Sequence, residues 1–151
     1  MSFVASASGV VQASSEECFA RLRDFLSWRD WMPQSFRPLR GPVRPMQIGD
    51  RLHLRVTAKP RSVPLLITVT IVRVEADREI TWRGGIRGLL VGEHSFFFEA
   101  AGPSATFVRS EETWSGILTW VGFVARRLRA SASRIGHEQI HALARAVEKS
   151  A

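Results

Sequence analysis

The chain has 151 residues, 45% of them hydrophobic, with a single cysteine and a net charge of +7. That length suits one domain with a real core, and every apolar run falls short of the ~18 residues a membrane span needs. One cysteine excludes a disulfide framework within the chain and makes a reducing cytoplasm the expected location.

The basic charge raises the question of a phosphate backbone as partner. Apart from Arg126, Arg127 and Arg129, however, the arginines are dispersed, with neither a basic tail nor a basic ribbon interleaved with aromatics. A solvated basic surface is therefore expected, and no nucleic acid. The first residues, MSFVASASGVVQAS, lack the basic leader and apolar block of a signal peptide.

In chain order, residues 3–11 read as a strand in which Gly9 marks a bend or bulge. A helix follows, with Ser14 or Ser15 as cap, Glu16 and Glu17 in its first turn, and a stripe of Cys18, Phe19, Leu22, Phe25 and Leu26. A second short helical turn carries Trp28 and Trp31 and ends at Pro33. Tryptophans three apart share a helix face, which places them in the core or in the wall of a pocket. Residues 33–45 hold four prolines, so this stretch supplies an edge strand near 36–39 and a loop, never a central strand. Its P-x-x-P run at 42–45 reads as proline-rich loop, not as a docking motif.

Gly49-Asp50 signals a turn. Beyond it Leu52, Leu54, Val56 and Ala58 alternate with His53, Arg55 and Thr57, the pattern of a half-buried strand. A proline-rich basic turn at 59–64 leads to a β-branched strand at 65–74, and Asp77-Arg78 makes the next turn. A strand starts at 80–83 with Trp82 inward, followed by a flexible loop punctuated by Gly84, Gly85 and Gly88. No G-x-x-x-x-G-K-S/T run is present there, so the loop does not predict a nucleotide site. Strands at 91–100 and 105–115 flank a turn at 101–104.

The last third, residues 117–149, reads as one long helix. Val121, Val124, Leu128, Ala132, Ile135, Leu143 and Ala146 fall within one arc at about 100° per residue. The same segment contains His137-Glu138-Gln139-Ile140-His141, which matches the zinc-protease pattern H-E-x-x-H. Both histidines lie about 150° or more from the centre of the apolar arc, and a catalytic zinc needs a third protein ligand that the segment does not supply. They are expected to face solvent, and no metal or other cofactor is expected. Trp120 and Phe123 fall off the buried arc, and Gly116 and Gly122 suit a bend in the first turns.

The order is strand, two short helices, about six strands, then one long helix. Consecutive strands with short turns pair antiparallel, and the apolar face of their sheet needs a cover that the last helix is long enough to give. That order resembles the helix-grip fold of the SRPBCC (START-like, Bet v 1-like) superfamily, and more narrowly its polyketide cyclase/dehydrase-like branch. The likeness is carried by ASSEECFARLRDFLSWRDWMP with its W-x-x-W-x-P ending, by IGDRLHLRV, by EITWRG, and by GEHSFFFEA followed by TFVRSEETWSGIL. It implies an α+β fold in which a curved antiparallel sheet of six to seven strands grips the C-terminal helix around a cavity for an apolar ligand.

Alternation then names candidate lining residues. His94, Phe96 and Phe98 share one face of their strand, and Ser110, Glu112 and Trp114 share a face of the next. Trp28, Trp31 and Trp82, with Val124, Leu128 and Ile135 of the helix, would add wall. His94 and Glu112 are then polar groups in an apolar cavity, as ligand sites often have. Their alternative role is structural, paired with each other or with an arginine such as Arg109. The expected function is binding or carriage of a hydrophobic small molecule or lipid by a monomer or homodimer. The alternatives are cyclase/dehydratase chemistry with His94 and Glu112 as base and acid, and a protein-interaction module.

Overall fold

The structure, a computed structural model, describes residues 2–57 and 63–148. Strand β1 (Ser2–Val11) is followed by helix α1 (Ser15–Arg23), a 3-10 turn and the short helix α2 (Trp28–Trp31). Six strands come next: β2 (Phe36–Arg40), β3 (Arg51–Val56), β4 (Leu65–Glu75), β5 (Glu79–Ile86), β6 (Leu90–Ala100) and β7 (Thr106–Ser115). A 3-10 turn (Ile117–Trp120) then leads to α3 (Gly122–Glu148). All seven strands form one antiparallel sheet in the order β1-β7-β6-β5-β4-β3-β2. The outermost strand β2 carries Pro38, where the missing N–H leaves no central ladder broken.

Local chemistry accounts for the elements. Ser14 caps α1, its hydroxyl accepting from the Glu17 amide at 3.2 Å, with Glu16 and Glu17 against the positive end of the helix. Cys18, Phe19 and Leu22 bury one face of α1. Strand alternation sends Phe3, Ala5, Ala7 and Val11 of β1 inward, and Leu52 and Leu54 of β3 with them.

Three expectations change. Residues 84 and 85 belong to β5 instead of a loop, and only 87–89 turn. The glycines are there for space: at Gly85 φ is 126° and a Cβ would lie 2.2 Å from the Leu90 carbonyl oxygen. Gly9 is no bulge, since β1 pairs with β7 in unbroken register through Gly9 and Val108. A Cβ there would lie 3.3 Å from the Ile140 side chain, so the small residue admits the helix. The long helix is not one rod from 117 onward. Gly116, at φ 114°, starts the separate 3-10 turn, and Val121, expected on the buried arc, is extended and exposed at the break before α3. The turn expected at 59–64 lies largely outside the described residues.

Helix α3 lies across the inner face of the sheet unevenly. Between 122 and 132 it buries Ala125 and Ala132, whereas between 133 and 148 it buries Ile135, Gly136, Gln139, Ile140, Ala142, Leu143 and Val147. Gly136 lets the second half come close, because a Cβ there would stand 3.1 Å from Ser110 Oγ and 3.2 Å from Ala7 Cβ. Among the described residues no helix is long and apolar enough to cross a membrane.

Candidate ligand cavity

The middle of the sheet is filled by an aromatic cluster. Trp28 is fully buried, with ring centroids 4.9 Å from Phe25, 6.0 Å from Phe36 and 5.6 Å from Trp82. Its indole N–H donates to the Leu22 carbonyl at 2.8 Å. Phe96 stacks on the His94 ring at 4.9 Å, and Phe98 meets Phe19 edge-on at 6.2 Å. Trp28, Phe96 and Phe98 are thus packed core and not cavity wall. Trp31 turns the other way: its N–H donates to Ser27 Oγ, and its ring borders a separate open cleft with Arg55, Arg134 and Arg145.

Beyond that cluster, toward the turn between β5 and β6, the sheet and α3 part and leave a cavity of about 400 Å³. Trp82, His94, Glu112, Trp114, Leu128 and Ile135, all expected as lining, line it. Val124 is half-buried outside it, and Ser110 sits behind His94. Further wall comes from residues not named as lining from the sequence, among them Phe36, Val56, Ile67 and Val69 of β2 to β4 and Arg127 and Ala132 of α3. The glycines read as loop punctuation, Gly84 and Gly85, line it too, as does Gly92. A Cβ on Gly92 would lie 2.8 Å from the Trp114 ring. Bare backbone at Gly92 leaves room for the Trp114 indole, whose buried N–H has no partner among the described residues.

His94 and Glu112 are directly opposed across β6 and β7, yet they do not pair as hydrogen-bond partners. His94 Nε2 is 2.8 Å from Ser110 Oγ, and its ring is enclosed by Trp82 and Phe96. Burial among those rings lowers its pKa from 6.5 to about 3, so the imidazole is neutral at any physiological pH. Glu112 has no hydrogen-bond or ion-pair partner among the described residues, and burial raises its pKa from 4.5 to about 7. Arg109, the arginine considered as a partner, is exposed, 4.7 Å over the Phe97 ring and 3.7 Å from Glu111. Among the described residues Glu112 is the one carboxylate on the cavity wall. Near neutrality it is poised to donate or to accept a hydrogen bond.

The zinc-like motif lies elsewhere. His137 and His141 are exposed on α3, and Glu138 between them is engaged by the Ser35 hydroxyl, with Arg134 Nε at 3.7 Å. Among the described residues no group of three or more His, Cys, Asp or Glu side chains is arranged to hold a metal.

A curved antiparallel sheet gripping a C-terminal helix, with a cavity between them, defines the class of helix-grip proteins. The chain belongs to the polyketide cyclase/dehydrase and lipid transport family, whose model matches residues 2–148. No curated protein sequence matches it. Its fold is similar to that of norcoclaurine synthase from Thalictrum flavum, solved in complex with dopamine and hydroxybenzaldehyde, with a TM-score of 0.79 at 12% identity over 100% of this chain and 89% of that one. It is also similar to an aromatase/cyclase from a Streptomyces species, with a TM-score of 0.77 at 13% identity over 99% of this chain and 95% of the other. The di-domain aromatase/cyclase of the steffimycin biosynthetic pathway superposes with a TM-score of 0.77 at 12% identity, over 99% of this chain and 52% of that larger one. At such identities the likeness is one of fold.

Proposed function

We propose that the protein binds an apolar small molecule or lipid in the cavity beneath α3, with Glu112 hydrogen-bonding its polar end. The observation that carries this reading is the combination of an apolar cavity of about 400 Å³ with one unpartnered carboxyl group on its wall. That volume lies within the ~300–1,000 Å³ of small-molecule sites, which pair apolar walls with a few polar groups. Ring surface from Trp82 and Trp114 and aliphatic surface from Val69, Leu128 and Ile135 suit a hydrocarbon or aromatic body. The carboxyl of Glu112 and the free indole N–H of Trp114 suit a carbonyl or hydroxyl.

The test is displacement of a fluorescent hydrophobic reporter such as anilinonaphthalene sulfonate, together with native mass spectra of the purified protein. Leu128→Trp fills the cavity and is expected to abolish reporter binding. Replacing both His94 and Glu112 by Ala is expected to weaken binding at unchanged circular dichroism, and unchanged affinity in that variant would overturn the role given to Glu112.

One observation favours a second reading, catalysis of the cyclase/dehydratase type. A carboxyl whose pKa lies near 7 is matched to general acid–base work at neutral pH. In that case Glu112 carries the proton, because a histidine with a pKa of about 3 is too weak a base to share the task. Turnover of a β-polyketone by the wild type, lost in Glu112→Gln, would favour the enzyme over the carrier.

A further inference from the structure

Exposed apolar side chains gather at one end of the molecule. The turn between β5 and β6 is joined to the 3-10 turn before α3, the amides of Ile117 and Leu118 donating to the carbonyls of Gly88 and Leu89 at 3.1 and 3.0 Å. The start of β4 runs to the same end, since Val69 pairs with Gly84 and earlier residues of β4 continue toward that turn. On this rim Leu66, Ile86, Leu89, Ile117, Trp120 and Phe123 are all exposed, Trp120 at 71% and Phe123 at 58%. Trp120 and Phe123 are moreover the two aromatic side chains among the large exposed hydrophobic residues described. An apolar surface of this kind needs a reason, because scattered single residues are ordinary but a cluster is not.

The charge around the patch is of one sign. Residues 63–70, 84–92 and 113–127, which build this end, contain no aspartate or glutamate, while Arg87 stands in the β5–β6 turn and Arg126 and Arg127 follow Phe123 on α3. Arg87, Arg126 and Arg127 are exposed. Exposed Trp and Phe beside arginines, without any acid, is the chemistry of a surface that sits at the boundary between lipid headgroups and acyl chains. Leu65, Gly85, Leu90 and Arg127 line the cavity from this same end.

We infer that this end docks on an anionic lipid bilayer surface, inserting Trp120 and Phe123 while the arginines meet lipid phosphates. A docked molecule presents its cavity end to the membrane. Docking itself stands without the cavity reading, so vesicle binding and reporter binding can fail separately.

The test is cosedimentation of the protein with vesicles of phosphatidylcholine alone and of equal parts phosphatidylcholine and phosphatidylglycerol, with sedimentation velocity in the absence of lipid. Binding is expected to the mixed vesicles and to weaken with added salt. The double substitution Trp120→Ser and Phe123→Ser is expected to reduce partitioning about tenfold or more. Arg126→Glu is expected to reduce it at least about fivefold, the effect of one basic residue near an anionic surface. Absence of binding, or equal binding to neutral and anionic vesicles, overturns the inference. So does a wild-type dimer dissociated by the Trp120 and Phe123 substitutions without vesicle binding, which would assign the patch to a second copy of the chain.

Discussion

Glu112→Gln separates the charge of this side chain from its shape. Moving the ionisation of a glutamate from 4.5 to about 7 corresponds to about 3 kcal/mol, at about 1.4 kcal/mol per tenfold. The sign follows from proton counting: between those two values the folded chain holds the proton that the unfolded chain has released, so stability falls as pH rises through the window. Glutamine mimics the protonated acid and carries no charge at any pH. The variant is therefore expected to match the wild type near pH 4 and to exceed it by about 3 kcal/mol above pH 8. Urea unfolding at a series of pH values measures the difference directly, with other titrating groups cancelling between the two proteins. His94 works in the opposite sense, because its pKa falls from 6.5 to about 3 and stability is lost as pH drops through that interval. The wild-type profile should accordingly be flatter between 4.5 and 6.5 than that of the variant. A difference between variant and wild type that stays constant with pH would refute the burial of Glu112 as the source of its shift.

Gln139 is 1% exposed, and both polar atoms of its amide are without partners among the described residues. Gln139→Leu is expected to stabilise by about 1–3 kcal/mol and raise Tm by several degrees; a lower Tm in a thermal melt would show that the amide is satisfied. Gly92→Ala adds a Cβ 2.8 Å from the Trp114 ring, which is expected to destabilise by about 1–3 kcal/mol and to push the indole into the cavity. Reporter affinity falling along with urea stability checks it, and unchanged affinity would mean the ring yields in another direction.

Element order and facing were legible because they rest on local chemistry. Alternation at Leu52 and Leu54 and at His94, Phe96 and Phe98 gave the inner faces of β3 and β6, and the spacing that placed His137 and His141 off the apolar arc agrees with their exposure. The extent of the cavity was not legible in this way. Facing inward is a property of a strand, whereas lining a cavity depends on how far α3 stands from the sheet. Phe96 and Trp82 point the same way, yet one is packed beneath neighbours and the other reaches the open space. Trp28 and Trp31 share a helix only a turn long, and α2 buries one fully while the other stays half-buried at the core's edge, bordering the separate cleft. Gly84 and Gly85 read as loop because glycine has low strand propensity; their role appears only once the approach of Leu90 and Val69 is known. The hydrogen bond between His94 and Ser110 joins residues 16 apart in sequence that become diagonal neighbours only once β6 and β7 are paired.

The uneven burial of α3 divides its stability along its length. Its second half, with Ile140 packed close to Gly9 and Gly136 close to Ser110, is expected to open last. Its first half, anchored by two alanines, can unwind from Gly122 toward Ser131 without disturbing the aromatic cluster. Amide exchange is expected to run faster there than after Ile135, as partial unfolding proceeds from the least buried end. Under the binding function proposed above, that melting order would loosen the Leu128 side of the cavity first.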